Sequence, residues 1–186
     1  MRIIFMLEEL SMKVLLDGIL PRILPEGIGF LTIPHDGKRD LELSLPKKLG
    51  AWNEPDVAFV VVHDQDSNDC VELKRNLQGI CAASRRQTLV RIACRELEAW
   101  YWGDLAAVSE AYGVDLKYLS GKRKYREPDS IDHPKKELKR YIPQMGQIEG
   151  ARKIAPYMNL EENTSHSFQV FVQGIKRLCG VDACGG

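Results

Sequence analysis

Asp64 and Asp66 straddle a single glutamine in the stretch FVVVHDQDSND, residues 59 to 69. They follow the most hydrophobic run of the chain. Two carboxylates about 4 Å apart repel by roughly 1 kcal/mol in water and about 4 kcal/mol at an effective dielectric near 20. A strand ending in such a pair therefore either holds protons there or presents the pair to a cation. Oxygen donors with no His or Cys cluster select magnesium or manganese over zinc or copper. A bare Asp-x-Asp also has a plainer reading, because aspartates after a strand often cap the next helix or shape a turn.

Position separates the two readings, so the elements around the pair matter. IIFML (3–7) is a short apolar run, followed through EEL by Ser11 as an N-cap and by MKVLLDGILPRIL at helical spacing, with a kink or early end at Pro21. GFLTI (29–33) is a second strand, HDGKRD a loop, and DLELSLPKKL a helix interrupted near Pro46. VAFVVV (57–62) is apolar on both faces, as a parallel strand covered by helices is. Asp66 or Ser67 can cap the next helix, TLVRIAC (88–94) is a fourth strand, and ELEAWYWGDLAAVSEAY continues as helix. Strand followed by helix four times predicts an α/β fold with a four-stranded parallel sheet and right-handed crossovers over residues 1–113. Residues 114–179 read as a helical, partly basic extension packed on that sheet, with helices at 134–142, 146–157 and 166–179, and 180–186 as a flexible tail.

Ligands of open parallel sheets bind outside the carboxyl ends of the strands. That edge collects Glu8 and Glu9 after strand one; His35, Asp36 and Lys38 after strand two; Asp64, Asp66 and Asp69 after strand three; and Arg95, Glu96 and Glu98 after strand four. Four segments thus deliver carboxylates to one rim, which favours the cation. Glu96 and Glu98 are two apart on a helix, so at most one faces the site.

The chain has 186 residues, enough for one domain with a real core, and 44% of them are hydrophobic. Twenty-six basic residues balance twenty-six acidic ones, so net charge selects no partner. Charge is nevertheless segregated: residues 117–141 carry nine basic and four acidic side chains, a local excess of +5. Five cysteines without a C-x-x-C pair support neither a disulfide framework nor a zinc site, and read as reduced thiols of a cytoplasmic protein. The apolar run at 3–7 stops at Glu8, far short of a membrane span of about 20 residues, so no membrane association is expected.

Glu8 in FMLEELS with Asp64 and Asp66 in VVVHDQDS resembles the signature of the Toprim fold, the metal-binding catalytic domain of topoisomerases, primases and small nucleases. The phrases HDGKRDL, FVVVHDQDSNDC, VRIACRELEAWYWGD and NTSHSFQVF are similar to those of the Toprim-like domain-of-unknown-function family 4276, over nearly the whole chain. The resemblance implies a magnesium- or manganese-dependent nuclease, and a partner ATPase of the ABC or AAA type encoded nearby, as in two-component phage-defence systems. One departure is Met12, where many Toprim nucleases carry a second acidic residue. A second metal built that way lacks its ligand here, and Glu96 or Glu98 would have to supply one.

In that reading Glu8, Asp64 and Asp66 hold the metal, and with Lys38 they form the catalytic set. Lys38 and Arg95 neutralise the phosphate, and Lys122, Arg123, Lys124 and Arg126, with Tyr118, Tyr125 and Tyr141 interleaved, track a nucleic-acid backbone. Arg95 is equally suited to a structural ion pair. Trp100, Tyr101 and Trp102 are expected in the core, His63 as a satisfied core residue, and His166 without chemistry. Two other readings stay open: a non-catalytic adaptor of the ATPase, and a nucleotide-sugar transferase using Asp-x-Asp, which explains neither Glu8 nor the short strand-helix pattern.

Overall fold

Seven consecutive buried residues, Val57 to His63, make β3 (Val57–Asp64) an interior strand. In the computed structural model, which describes residues 1–181, it pairs in parallel with β1 (Arg2–Leu7) on one side and β4 (Thr88–Ala93) on the other. β2 (Gly29–Pro34) pairs in parallel with the far side of β1, giving the order β2-β1-β3-β4. The fold is therefore α/β with a four-stranded, all-parallel sheet flanked by helices. Most of the tail expected at 180–186 lies outside the described residues.

Alternation along the strands divides the core between two faces. Ile3, Phe5, Leu7, Val60 and Val62 point to one face, where α1 (Leu10–Ile23) packs. Ile4, Met6, Phe59 and Val61 point to the other, covered by α2 (Lys38–Ala51) and α3 (Cys70–Ala82). The β1-to-β2 connection steps one way along the sheet and the next two step the other way. Connections in opposite directions lie on opposite faces, as one common handedness requires. The strand order thus reverses between β1 and β3, the position outside whose carboxyl ends open α/β sheets bind their ligands.

The C-terminal half adds α4 (Glu98–Trp102), α5 (Leu105–Tyr112), α6 (Pro134–Tyr141), α7 (Gln147–Ile154) and α8 (His166–Leu178). Its apolar residues join the α1 face: Leu119, Leu138, Ile154, Phe168 and Phe171 belong to the same buried cluster as Phe5 and Leu15. Trp100, Tyr101 and Trp102 are in that core as expected, Trp100 lying 5.2 and 5.1 Å from the rings of Phe168 and Phe171. No helix among the described residues is long and apolar enough to cross a membrane.

Several local expectations change. α1 begins at Leu10 with Glu9 at its N-cap, so Ser11 lies inside the first turn; Pro21 sits two residues from the helix end, where it disturbs little. HDGKRD is only half loop, because Gly37 (φ +90) turns the chain into α2 at Lys38. α2 runs through Pro46 without interruption. Leu41, Leu45 and Leu49 bury one stripe of it, at about 1.5–3 kcal/mol each, while Pro46 lies on the exposed side where water can meet the freed carbonyl. The long pattern after β4 breaks at Gly103–Asp104: Asp104 caps α5 by accepting from the Ala107 N–H at 3.0 Å.

Candidate functional site

The four strand-end loops are tied to one another by main-chain bonds. Leu7 O accepts from His35 N at 2.9 Å, and Glu8 O accepts from Gly37 N at 3.0 Å, which fixes where α2 starts. Gln65 N donates to Ala93 O at 2.9 Å and Asp66 N to Arg95 O at 2.7 Å. Asp66 (φ +52) and Arg95 (φ +61) both adopt the left-handed region. Non-glycine residues there cost of order 1 kcal/mol or more and persist where surrounding structure holds them.

Within this frame Glu8 reaches from the end of β1 to β3. Its Oε2 accepts from the Asp64 N–H at 2.9 Å and lies 3.0 Å from His63 Nδ1. His63 is fully buried, and the same Nδ1 is 2.6 Å from Asp64 O. Facing two acceptors, Nδ1 is the nitrogen that carries the hydrogen. His63 Nε2 stands 3.6 Å from Glu42 Oε1 without a hydrogen bond, so the expected satisfied core histidine is satisfied on one side only. His35 is also buried; its Nδ1 bonds Leu7 O at 2.8 Å, and Lys48 lies 2.7 Å from its Nε2. Burial, and then Lys48, hold His35 below the usual histidine range.

The carboxylates repel as their crowding requires. Burial, then Glu8, Glu98, Glu9 and Asp66, push Asp64 well above the carboxylate range. Glu8 is raised by burial and by Asp66 and Glu9, against the lowering effects of His63 and the Asp64 N–H. Glu98 is 4% exposed and pushed up to about 7, chiefly by burial. Asp64 Oδ1 and the Tyr101 hydroxyl are sealed from solvent with no hydrogen-bond partner. An unpaired buried polar atom costs about 1–3 kcal/mol, and with His63 Nε2 the cluster carries three.

Asp66 caps nothing. Gln65 and Asn68 close their own turn through Asn68 N, Asn68 Nδ2 and Gln65 Nε2, and Asp69 caps α3 by accepting from Glu72 N at 2.8 Å. Asp66 is left for Lys38, whose Nζ is 3.5 Å from its Oδ2. Of the two glutamates after β4, Glu98 faces the cluster, while Glu96 accepts from the Lys135 N–H at 2.9 Å and anchors the start of α6. Met12 is fully buried in the core. The carboxylates are gathered but not set as a finished coordination shell: among the described residues no three His, Cys, Asp or Glu side chains stand ready to hold a metal. The donor set is nonetheless all oxygen, with Asp64 Oδ1 unpaired in its midst, which suits a hard divalent ion.

The basic candidates divide. Arg95 Nη2 lies 3.8 Å from Asp132 Oδ1, a structural ion pair of the kind to which its position is equally suited. Lys124 pairs with Glu137 and lies over the Tyr125 ring, Arg126 bonds Gly121 O at 3.3 Å, and Lys122 lies 5.1 Å over Tyr118. Tyr125 is stacked on Trp102 at 4.4 Å and is 5% exposed, and its hydroxyl bonds Tyr141 and Glu137. Neither Tyr125 nor Tyr141 offers a free ring to a base, whereas Tyr118 is exposed.

The family model for a domain of unknown function, DUF4276, matches residues 7–176, from the last residue of β1 to near the end of α8. The chain belongs to the DUF4276 family. The matched span includes every carboxylate of the cluster and the α6–α8 region, so the DUF4276 unit is the whole sheet with its C-terminal helices. No curated protein and no solved structure matches this DUF4276 chain.

Sequence reasoning missed His63 as a partner of Glu8 and missed Glu42 altogether; it placed Tyr101 in the core but not its hydroxyl beside the carboxylates. An ionisable residue inside a fully apolar strand, immediately before the Asp-x-Asp, was the available signal for His63. Glu42 gave none, because the rotation of α2 against the sheet is not written in its own residues.

Proposed function

We propose that this chain is a metal-dependent, Toprim-type nuclease acting on nucleic-acid phosphodiesters, as one component of an ATPase-linked defence system. The observation that carries the reading is the crowding of Glu8, Asp64, Asp66 and Glu98 at the sheet's switch point, around an unpaired Asp64 oxygen. Asp64 and Asp66 would hold magnesium or manganese, with Glu8 completing the set. When bound, the ion polarises the phosphodiester and offsets charge developing on its oxygens.

The side chains supply the rest. Glu8 is held by His63 and the Asp64 N–H through Oε2, leaving Oε1 to receive a proton from water or return one to the leaving oxygen. Its raised pKa brings it closer to the operating pH, where such transfer is most efficient. Lys38 and Arg95 flank Asp66 and supply positive charge for the scissile phosphate. The partner ATPase and the defence role rest on the family resemblance alone.

The test is cleavage or nicking of DNA or RNA by pure protein with magnesium or manganese, alone and with the ATPase encoded beside it. Loss of cleavage in Asp64→Ala and Glu8→Gln supports the reading. The competing reading keeps the fold and drops catalysis: a non-catalytic adaptor of the ATPase. That reading wins if Asp64→Ala matches the parent in every assay, partner included.

A further inference from the structure

α6 places three cations that form no salt bridge next to the acidic cluster, Lys135 near enough to Glu98 to lower its pKa. Among the described residues Lys135, Lys136 and Lys139 form no salt bridge, although Glu137 between them takes both Lys124 and Arg140. Lys135 and Lys139, four apart on one helical face, repel each other, a cost of about 0.2–0.5 kcal/mol that no described ion pair offsets. They line a groove of about 400 Å³ with Lys136, His133 and Glu96. That groove shares Glu96 and His133 with a neighbouring one of about 350 Å³ that reaches Asp66, Ser67 and Arg95. On its other side Lys135 and Lys139 meet Glu98 and Gln147.

The shelf is rigid. Trp102 Nε1 donates to Pro134 O at 3.0 Å and Lys135 N donates to Glu96 at 2.9 Å, so the first turn of α6 is pinned to the segment after β4. Pro134, Glu137 and Leu138 are buried, which leaves Lys136 and Lys139 exposed and Lys135 half-buried.

Resting on the nuclease reading, we infer that Lys135, Lys136 and Lys139, with Arg95, form the track that binds the phosphate backbone of the nucleic acid and leads it to the acidic cluster. The 122–126 segment offers fewer free cations: Lys124 is engaged by Glu137, Arg126 by Gly121 O and Lys122 lies over the Tyr118 ring, which leaves Arg123. Contact is to phosphates and carries no base specificity.

Short labelled DNA and RNA oligonucleotides, titrated in EDTA at several salt concentrations, test this. Lys135→Ala/Lys136→Ala/Lys139→Ala should lose about tenfold or more in affinity and flatten the log–log salt slope by about 2 to 3. The matching triple arginine variant should keep parental binding, which guards against misfolding. Alanines at 122, 123, 124 and 126 should shift affinity less than about twofold. Parental binding by the triple alanine variant, an equal loss in the 122–126 variant, or no binding by the parent overturns the track. Cleavage is scored separately. Binding through the shelf with no metal-dependent cutting either alone or with the ATPase overturns the nuclease reading and keeps the track, whereas cutting undiminished by the triple alanine variant does the reverse.

Discussion

Glu8 Oε2 accepts a hydrogen bond from the backbone N–H of Asp64 at 2.9 Å, joining the carboxyl ends of β1 and β3 where the strand order reverses. The bond holds Glu8 by one oxygen and leaves its charge as the functional variable. Glu8→Gln keeps an acceptor for Asp64 N and removes the ionisable proton. We expect it to unfold close to the parent temperature while cleavage falls by about 100-fold or more, read by melting curves and a plasmid-nicking assay.

Glu98 makes stability depend on pH. Its folded pKa, about 7, lies above the ordinary value of 4.5, so between those limits the folded state holds a proton that the unfolded chain has lost. Stability therefore falls as pH rises through that window, by roughly 3 kcal/mol at most, using about 1.4 kcal/mol per pH unit. Glu98→Gln should be more stable than the parent above about pH 7 and should lose that advantage toward about pH 4.5, as denaturant titrations at the two ends will show.

Divalent ions should act on the same carboxylates with the opposite sense. An ion bound only by the folded state raises stability by about 2.7 kcal/mol at a hundred times its Kd. Because Asp64 and Glu8 must first lose protons, the gain should grow with pH. Thermal shifts with manganese should increase from about pH 6 to about pH 8 and vanish in Asp64→Ala.

The sheet was legible because its strands are apolar where both faces are covered, as in Val57 to His63. The rim of carboxylates followed from placing each loop on the same edge. What escaped was local competition. Asp66 looked like a cap, but the turn closed by Gln65 and Asn68 moves the cap to Asp69. Pro46 looked like a break, but a buried leucine stripe carries α2 across it. Which of Glu96 and Glu98 faces inward depends on α6 docking against the segment after β4, a long-range contact that helical spacing alone does not encode.

Residues 114–179 share the α1-face core, so the first part of the chain should not stand alone. A fragment ending at 113 would expose Trp100 and Trp102, which lose Phe168, Phe171 and Tyr125 as partners. It should show no cooperative unfolding transition by circular dichroism, whereas the full chain should show one.

The central claim is that the acidic crowd at the carboxyl ends of β1 and β3 is a divalent-cation site. The direct measurement is a crystal soaked in manganese, with data collected for anomalous scattering. An anomalous peak in contact with Asp64 and with Glu8 or Asp66 is the expected result. A well-ordered crystal with no manganese at those carboxylates at saturating concentration would contradict the account.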